Sequence, residues 1–318
     1  MDDCRTTLPG KVGIALAAFD PELEYFAQQL QSIQNQTYPH WICIITLDSP
    51  LVPLQRAPIL SQFFADPRFI WREDPVRLGH KKNFERAIQL CAQQSVDMIG
   101  CSDQDDVWFP EKLALSVQAL DRAGPLSLVH TNMHLLLNGS RAPLTVWEME
   151  RRGVHHADPG DLLVRNIVAG CSMLFDAELA RRFKTIPDEA DYHDHWYALV
   201  ASYYGGVHPI HQPLFDYRQH TGNVVGATPY AGFFHLPSGT NSVKLFEKFR
   251  NCWRKSHRLA RAVERYRLPM TSLQKIQFLS RFDFGISLVI RGIGSLASDP
   301  ALARATIARG VGKLVAFF

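Results

Sequence analysis

The sequence predicts an α/β protein with a mostly parallel sheet and flanking helices, followed by a basic helical extension. Two observations support this fold class. The first hundred residues alternate short apolar runs with segments of helical periodicity, as strand–helix–strand units do. Beyond residue 240 the strand-like runs give way to helical sequence rich in Arg and Lys. Because 318 residues suffice for one large domain and an appendage, we expect an α/β domain over residues 1–235 and the extension over residues 236–318.

The strand candidates are short apolar runs, each bounded by polar residues or proline. In chain order they are Val12–Ala18, Trp41–Leu47, Arg68–Trp71, Val96–Cys101, Ser127–Leu137 and Cys171–Phe175. In a parallel α/β sheet, ligands bind at the carboxyl ends of the strands. Polar residues that directly follow these runs are therefore candidates for a functional site.

Helices are predicted where apolar residues recur at helical spacing between the strands. Asp20 is a candidate N-cap with Pro21 at the first helical position, which predicts a helix that ends near Gln36. Another helix is expected after Pro110, and another begins near Asp194. The predicted buried helix faces are Phe84, Ala87, Ile88 and Cys91; Leu113, Val117 and Leu120; and Trp196, Leu199, Val200 and Tyr203.

The charges are distributed unevenly along the chain. Residues 241–318 carry 15 basic and 4 acidic side chains, a net charge of +11, whereas residues 1–240 carry a net charge of −8. Basic and apolar residues alternate in this extension, which predicts contact with an anionic membrane surface. Nucleic-acid binding and a plain solvated face are the alternatives, and we expect no nucleic-acid partner. The basic residues concerned are Arg250, Arg254, Lys255, Arg258, Arg261, Arg265 and Arg267.

Other features of the sequence indicate a cytoplasmic protein, peripheral on the inner face of the cell membrane. The six cysteines include no C-x-x-C pair and lie mostly in apolar runs, so we expect reduced core thiols. The acidic start of the chain lacks the apolar stretch of a secretion signal. Asn138-Gly139-Ser140 matches a glycosylation motif, but in this compartment we interpret it as a turn.

Three carboxylates, Asp103, Asp105 and Asp106, follow an apolar run and precede a predicted helix. Carboxylates this close together need a cation or a shared proton. Mg²⁺ or Mn²⁺ suits such oxygen ligands, and these ions usually also bind substrate phosphates. The alternative is a solvated loop in which Asp106 caps the following helix.

Several segments together resemble glycosyltransferase family 2, and within it the bacterial rhamnosyltransferases of surface polysaccharide synthesis. The resemblance covers roughly residues 11–227 and is specific for the family but weak for the sugar. The segments are Gly13–Asp20, Gln29–Ile33, Gln36–Tyr38, Asp103–Leu113, Gly170–Phe175, His193–Trp196, Tyr217–His220 and Asn223–Gly226.

The resemblance implies a GT-A fold and a metal-dependent, inverting transfer from a nucleotide-diphosphate sugar. The first donor expected is dTDP-L-rhamnose, and the acceptor would be a saccharide or a polyprenyl-linked glycan of the cell envelope, such as O-antigen. It also implies Asp105 as the principal metal ligand, with Asp103 on the metal or the ribose. His220 would reach the metal or the diphosphate, although a histidine can equally be an ordinary polar residue.

The same resemblance implies nucleotide-sugar contacts at residues that follow the first four predicted strands, and at Arg218. The alternative for Asp48 is that it only forms a turn and does not contact the nucleotide. For Asp20, N-capping of the following helix would be a sufficient explanation. The segment that contains Lys82 and Asn83 can equally be a helix cap with exposed lysines. The full implied set is Asp20, Asp48, Arg77, Lys82, Asn83, Asp103 and Arg218.

Asp194 matches the position where family 2 enzymes keep their general base, which accepts the proton of the acceptor hydroxyl. Acceptor contacts are implied for Gly170, Cys171 and Trp196. His193 and His195 flank Asp194, but alternate residues on a helix diverge, so we do not expect them to share a zinc ion.

Two other functions are compatible with a nucleotide-binding α/β fold. A sugar-nucleotide pyrophosphorylase would be expected to carry a Gly-rich phosphate loop near the first strand, but the segment 13–20 contains one glycine. A binding scaffold without catalysis is the other alternative. The intact carboxylates at 103–106 and Asp194 argue against it.

Overall fold

The computed structural model describes residues 10–150, 159–164, 166–220, 254–256 and 258–268. Its strands are β1 (Val12–Ala18), β2 (Trp41–Leu47), β3 (Phe69–Glu73), β4 (Met98–Ser102), β5 (Val107–Trp108), β6 (Leu128–Leu137), β7 (Ser140–Thr145), β8 (Met173–Asp176) and β9 (Val207–Gln219). Its helices are α1 (Leu23–Gln34), α2 (Val52–Gln55), α3 (Ser61–Ala65), α4 (His80–Ala92), α5 (Lys112–Ala123), α6 (Val146–Glu150), α7 (Pro159–Val164), α8 (Ala177–Arg182) and α9 (His193–Ser202). Short 3₁₀ turns lie at Pro58–Leu60 and Gly170–Ser172.

The nine strands of the described residues form one sheet in the order β3-β2-β1-β4-β8-β6-β9-β5, with β7 paired to β6. The first four strands of this order are parallel to one another. Strand β8 is antiparallel to both β4 and β6, and β9 runs parallel to β6. The predicted α/β class is confirmed, and the parallel half of the sheet places the ends of β2, β1 and β4 side by side.

The predicted helices form, and their apolar faces are buried. Phe84, Ala87, Ile88 and Cys91 of α4 are at most 1% exposed. The faces predicted for α5 and α9 are also buried. Burying such a stripe against a sheet is the main stabilising contribution to a helix of this length. These helices hold the loops at the carboxyl end of the parallel strands in fixed positions.

The predicted N-cap of α1 is wrong. The cap is Glu22, whose carboxylate accepts hydrogen bonds from the backbone N–H groups of Glu24 and Tyr25. Asp20 lies outside the helix with a left-handed φ of 42°, and its own N–H donates to Ser49 Oγ. The chain therefore turns at Asp20 before the helix begins, and Pro21 precedes the cap instead of following it.

The described residues belong to two compact units. Residues 10–150 and 167–220 lie in the first unit, and residues 159–164, 166, 254–256 and 258–268 lie in the second. The predicted boundary at residue 235 lies outside the described residues. So do Cys4, Cys252 and the segment Asn223–Gly226.

Three smaller predictions can be compared with the structure. Cys43, Cys91, Cys101 and Cys171 are buried free thiols, as expected. Asn138 and Gly139 both adopt left-handed φ angles, 48° and 79°, and join β6 to β7 in a two-residue hairpin turn. Among the described residues, the helices are too short or too polar to cross a membrane.

Candidate functional site

The carboxyl ends of β2, β1 and β4 carry Asp48, Asp20 and Asp103, respectively. Because these strands are neighbours in the sheet, the three residues lie along one edge. The Asp48 N–H donates to Ala18 O at 2.9 Å, which joins the ends of β1 and β2. The structure thus assembles on one edge the residues that are far apart in sequence.

The loop 103–106 places three carboxylates between β4 and β5. Asp106 is fully buried, and its Oδ1 accepts the backbone N–H of Arg218 at 3.1 Å. Its Oδ2 has no hydrogen-bond partner among the described residues. Potential ligand atoms of Asp103, Asp106 and Cys171 all lie within 4.8 Å of one another. The proposed cap of α5 by Asp106 is wrong, because the carboxyl group points into this cluster and Glu111 occupies the cap position.

Burial and mutual repulsion make these carboxylates difficult to ionise. Burial, followed by the charge of Asp103, raises the pKa of Asp105 to about 6. Burial and both neighbouring carboxylates raise the pKa of Asp106 well above its ordinary value. Burial also raises the pKa of Asp103, although a hydrogen bond with Cys171 and the charge of Lys112 oppose this shift. Lys112 lowers the pKa of Asp103 and Asp106, and His220 and Arg218 lower that of Asp105, but these effects do not cancel the increase caused by burial.

A divalent cation fits this group of residues. It would neutralise the carboxylates and give the buried Oδ2 of Asp106 a partner. Carboxylate oxygens are the donors that Mg²⁺ and Mn²⁺ prefer. The sequence prediction chose Asp103, Asp105 and His220 and omitted Asp106, because its position before a helix also suits a cap.

His220 lies next to Asp105. Its Nε2 is 2.8 Å from Asp105 Oδ2, and its ring stacks on Tyr25 at a centroid distance of 5.8 Å. The structure therefore brings together two of the three residues that the sequence predicted as metal ligands. Asp103 belongs to the adjoining group with Asp106 and Cys171.

Arg218 holds the carboxylate loop from the side of β9. Its Nε donates to Asp105 O at 2.8 Å, and a terminal nitrogen donates to Gln28 Oε1 at 2.6 Å. The guanidinium group lies 4.1 Å from the ring centroid of Tyr25. Arg218 is 8% exposed, so its observed contacts are mainly with the protein. The predicted phosphate partner thus anchors the loop 103–106 in this structure.

Asp48 and Asn83 are occupied by backbone contacts. The carboxylate of Asp48 accepts the N–H groups of Leu78 and Gly79, at 3.1 and 2.7 Å. The Asn83 side chain is 2% exposed and donates to Ala18 O and Thr46 O, each at 3.2 Å. Both residues shape the edge where a nucleotide was predicted, and the structure gives them positioning contacts there. Asn83 lies in the first turn of α4, three residues after the helix begins.

The remaining predicted donor residues are on the surface near this edge. Asp20 and Arg77 are exposed, and the guanidinium of Arg77 lies 3.7 Å from the ring centroid of Phe19. Phe19 itself is 43% exposed. The ammonium of Lys82 is paired with Glu85 at 2.9 Å. Arg77 and Phe19 thus present a cation and an aromatic ring at the end of β1, whereas Lys82 is held by its own helix.

Asp194 lies in the first turn of α9 and is half-buried. Its Oδ1 accepts the N–H of His195 at 2.6 Å. Contact with a backbone N–H at a helix N-terminus favours the ionised carboxylate. This is the protonation state that a general base needs.

The predicted acceptor residues have different positions. Gly170 and Cys171 form the 3₁₀ turn before β8, and the Cys171 thiol is at the carboxylate cluster. Trp196 is fully buried and packs edge-on against Phe183. Acceptor contact by Trp196 is therefore contradicted by its burial: its indole belongs to the core packing of α9.

Lys112 is a functional candidate that the sequence analysis missed. It is 3% exposed, its Nζ donates to Cys171 O at 2.9 Å, and it lies 3.5 Å from the ring centroid of Trp108. The sequence carries no clear signal for this burial, because lysine is rarely buried and the burial of its helical neighbour Ser116 is known from the structure.

Comparison with known families agrees with this architecture. Residues 19–178 match the profile described as "Glycosyl transferase family 2". The match begins at the end of β1 and includes the carboxylate loop and β8. Comparison with curated protein sequences gave no significant match.

Solved structures share the fold at low sequence identity. S. aureus TarS matches with 15% identity and a TM-score of 0.54, over 86% of this chain and 42% of that one. TarS 1–349 in complex with UDP-GlcNAc matches with 13% identity and a TM-score of 0.52, over 96% and 90%. The mannosyltransferase PcManGT from Pyrobaculum calidifontis, in complex with GDP-Man and Mn²⁺, matches with 15% identity and a TM-score of 0.54, over 96% and 81%. This chain thus spans less than half of the TarS chain in the first of these structures.

Proposed function

Because the chain belongs to glycosyltransferase family 2, we propose that it transfers a sugar from a nucleotide diphosphate to a glycan acceptor with inversion at the anomeric carbon. The observation that carries this proposal is the carboxylate loop 103–106 at the ligand-binding edge of the sheet. A buried carboxylate oxygen without a partner, on Asp106, supports a cation in this loop. The exposed pair of Phe19 and Arg77 supports a nucleotide nearby.

Asp103, Asp105 and Asp106, with His220, would hold Mg²⁺ or Mn²⁺. When bound, such an ion neutralises charge on the diphosphate leaving group. The complexes of the two structural neighbours with UDP-GlcNAc and with GDP-Man and Mn²⁺ support a nucleotide sugar and a metal as ligands. Arg218 and Tyr25 keep the loop in place around this site.

Asp194 would accept the proton of the acceptor hydroxyl as its oxygen attacks the anomeric carbon. The bond from that carbon to the diphosphate oxygen breaks on the opposite face, so a single base suffices for inversion. Asp194 lies in the first turn of α9, where the helix dipole favours a negative charge. Gly170 is proposed to border the acceptor, whereas Cys171 is 2% exposed and its thiol lies at the carboxylate cluster.

The sugar and the acceptor are proposed from the resemblance of the sequence to bacterial rhamnosyltransferases. The donor is dTDP-L-rhamnose, and the acceptor is a saccharide or a polyprenyl-linked glycan of the cell envelope. The exposed Arg77 is available for the negative charge of a nucleotide.

A lipid-linked acceptor would place the protein at the cytoplasmic membrane surface, and the second unit supports this location. Residues 254–256 and 258–265 are helical. Arg258, Arg261 and Arg265 are exposed, and their spacing of three and four residues places them on one face. Leu259 and Val263 are buried. We propose that this basic face contacts anionic headgroups.

The experiment that tests the enzyme function is a screen of nucleotide sugars with and without Mn²⁺. Ligands that bind only the folded protein raise its unfolding temperature. We expect stabilisation by a nucleotide sugar that depends on Mn²⁺, followed by transfer or slow hydrolysis of that donor. Asp105→Ala should abolish the metal-dependent part, whereas Asp121→Ala, an exposed carboxylate on α5, should retain it. Metal-dependent binding without turnover of any donor would favour a binding scaffold instead.

A further inference from the structure

The turn Gly170–Ser172 contacts the carboxylate cluster through Cys171 and the start of α9 through Gly170. On one side, Lys112 donates to the carbonyl of Cys171. Its ammonium is also 3.5 Å from the ring centroid of Trp108 and 4.9 Å from that of Phe215. Burial lowers the pKa of Lys112 to about 8, against the opposing charges around it. A charged lysine is costly to bury, and the ammonium of Lys112 donates a hydrogen bond to the turn.

On the other side, the turn meets the first residue of α9. A Cβ on Gly170 would lie 2.5 Å from His193 Nε2 and 2.9 Å from Cε1, so the imidazole fills the space that a side chain would take. His193 is 2% exposed and stacks on Phe84 at a centroid distance of 3.9 Å. Its ring nitrogens have no hydrogen-bond partner among the described residues. The ring therefore acts here by its shape and packing.

We propose that Lys112 and His193 are positioning residues that clamp the turn Gly170–Ser172 from opposite sides and so fix Asp194 relative to the carboxylates at 103–106. This inference rests on the proposed function for the role of Asp194, but the clamp itself is a structural claim. The two contacts connect the turn to the two groups proposed to take part in the reaction. Lys112 holds the turn next to the carboxylates of Asp103 and Asp106. His193 packs against the turn and directly precedes Asp194 in the chain. A displacement of about 1 Å between reacting groups can lower a rate by about 100-fold.

The contact between Gly170 and His193 can be tested with a double-mutant cycle. Gly170→Ala should lower the transfer rate by about 10–100-fold, because the methyl group displaces the ring and with it the start of α9. The Mn²⁺-dependent affinity for the nucleoside diphosphate should stay within about threefold of the wild-type value. A substitution that only displaces Asp194 lowers the rate of transfer without weakening donor binding. In a His193→Ala background the same glycine substitution should cost less than about threefold in rate. Equal losses in the two backgrounds would overturn the role of His193.

The contact with Lys112 needs a readout that is independent of turnover. Lys112→Met keeps most of the side-chain volume and removes the ammonium, and Lys184→Met is the matched control on an exposed lysine. Hydrogen exchange of the amides at 169–173 and 193–197 should quicken by about tenfold in the first variant and not in the second, because local opening governs exchange. Unchanged exchange in Lys112→Met would overturn the clamp. If the wild-type protein transfers no sugar from any donor, the proposed function fails, but the exchange result still decides the clamp.

Discussion

At the scale of single residues, Asp105 links the stability of the protein to pH and to its ligand. Its pKa is raised to about 6, first by burial and then by Asp103. A carboxyl group with a raised pKa favours the fold while it is protonated, and this contribution is lost as the pH rises through the folded-state pKa. At neutral pH the ionised Asp105 therefore opposes folding when no cation is bound.

Asp105→Asn should accordingly stabilise the metal-free protein at pH 7.5. A folded-state pKa of about 6, against an ordinary value of 3.8, corresponds to at most about 3 kcal/mol, so we expect an increase of about 1–3 kcal/mol in the free energy of unfolding. The difference between the two proteins should shrink as the pH falls from 7 to about 4, where both side chains are neutral. Urea unfolding of both proteins at pH 7.5 and at about pH 4 measures this difference in stability.

The control for this prediction is the divalent ion itself. Added Mn²⁺ with a nucleoside diphosphate should stabilise the wild-type protein much more than the asparagine variant. A variant that is less stable than the wild type at pH 7.5 without metal would show that the Asp105 carboxylate is already compensated by protein groups such as His220.

Asp194 makes the sharpest prediction for catalysis. Asp194→Asn keeps the shape of the side chain and removes its basicity, so donor and metal should bind with nearly unchanged affinity. Transfer to the acceptor should fall by about 10²–10⁴-fold, as for other lost general bases. Single-turnover transfer, measured beside donor affinity by calorimetry, separates the two quantities.

Asp191→Asn is the matched comparison, because this exposed carboxylate lies three residues before Asp194. It should retain nearly full transfer. Retention of more than about a tenth of the wild-type rate in Asp194→Asn would be incompatible with the assignment. Glu189 and Asp191 would then become the candidate bases.

Single residues also show where a sequence is informative. The position of the carboxylates at 103–106 could be predicted, because they follow an apolar strand at the edge of an α/β sheet where ligands bind. The role of Asp48 could not, since its carboxylate binds two N–H groups about 30 residues away in sequence. The burial of Trp196 was compatible with its helical spacing, but the resemblance favoured an acceptor contact. Lys112 was passed over because lysine is rarely buried.

At the scale of elements, the carboxyl end of β2 is joined to the start of α4 by Asp48. Gly79 precedes the helix with a left-handed φ of 78°, which glycine adopts without strain. The two N–H groups held by Asp48 fix the loop that carries Arg77. The donor edge therefore depends on a tertiary contact between a strand end and a helix start.

Asp48→Ala should release this loop. Two buried or half-buried N–H groups would lose their acceptor, which typically lowers the free energy of unfolding by about 1–3 kcal/mol. Nucleotide affinity should fall with it, because Arg77 and Phe19 would no longer be held together. Chemical denaturation and calorimetry measure both effects. Asp188→Ala is the control, since that side chain is 92% exposed and should change stability by less than about 0.5 kcal/mol.

Periodicity located most elements, and its failures have physical causes. β1 and β2 begin and end as predicted, because each apolar run is bounded by polar residues. β9 was not predicted, since Pro209, Pro213 and several polar residues interrupt its pattern. Its pairing with β6, including two shifts in register, supplies order that local preference does not. The N-cap of α1 is Glu22 and not the predicted Asp20, because the chain turns at Asp20 before the helix begins.

At the scale of the whole molecule, the order of the strands lies beyond what patterns along the sequence can give. β8 lies between β4 and β6, antiparallel to both, which brings Cys171 to the carboxylates on the neighbouring loop. Contacts of this kind join residues about 70 positions apart. The charge imbalance between the two parts of the chain, in contrast, could be read directly from the sequence, with +11 in residues 241–318.

The last prediction concerns the basic face of the second unit. Arg258, Arg261 and Arg265 replaced together by Gln should lose binding to phosphatidylglycerol vesicles, because each basic residue near such a surface contributes about 1 kcal/mol. Three substitutions should therefore weaken binding by about 100-fold, as measured by vesicle sedimentation. The matched control replaces the exposed Arg56, Arg72 and Lys184 by Gln, which changes the net charge equally. Binding of the control and the wild type should weaken as salt shortens the screening length from about 10 Å at 0.1 M to about 3 Å at 1 M. Equal losses in both triple variants would mean that net charge and not this face attracts the membrane.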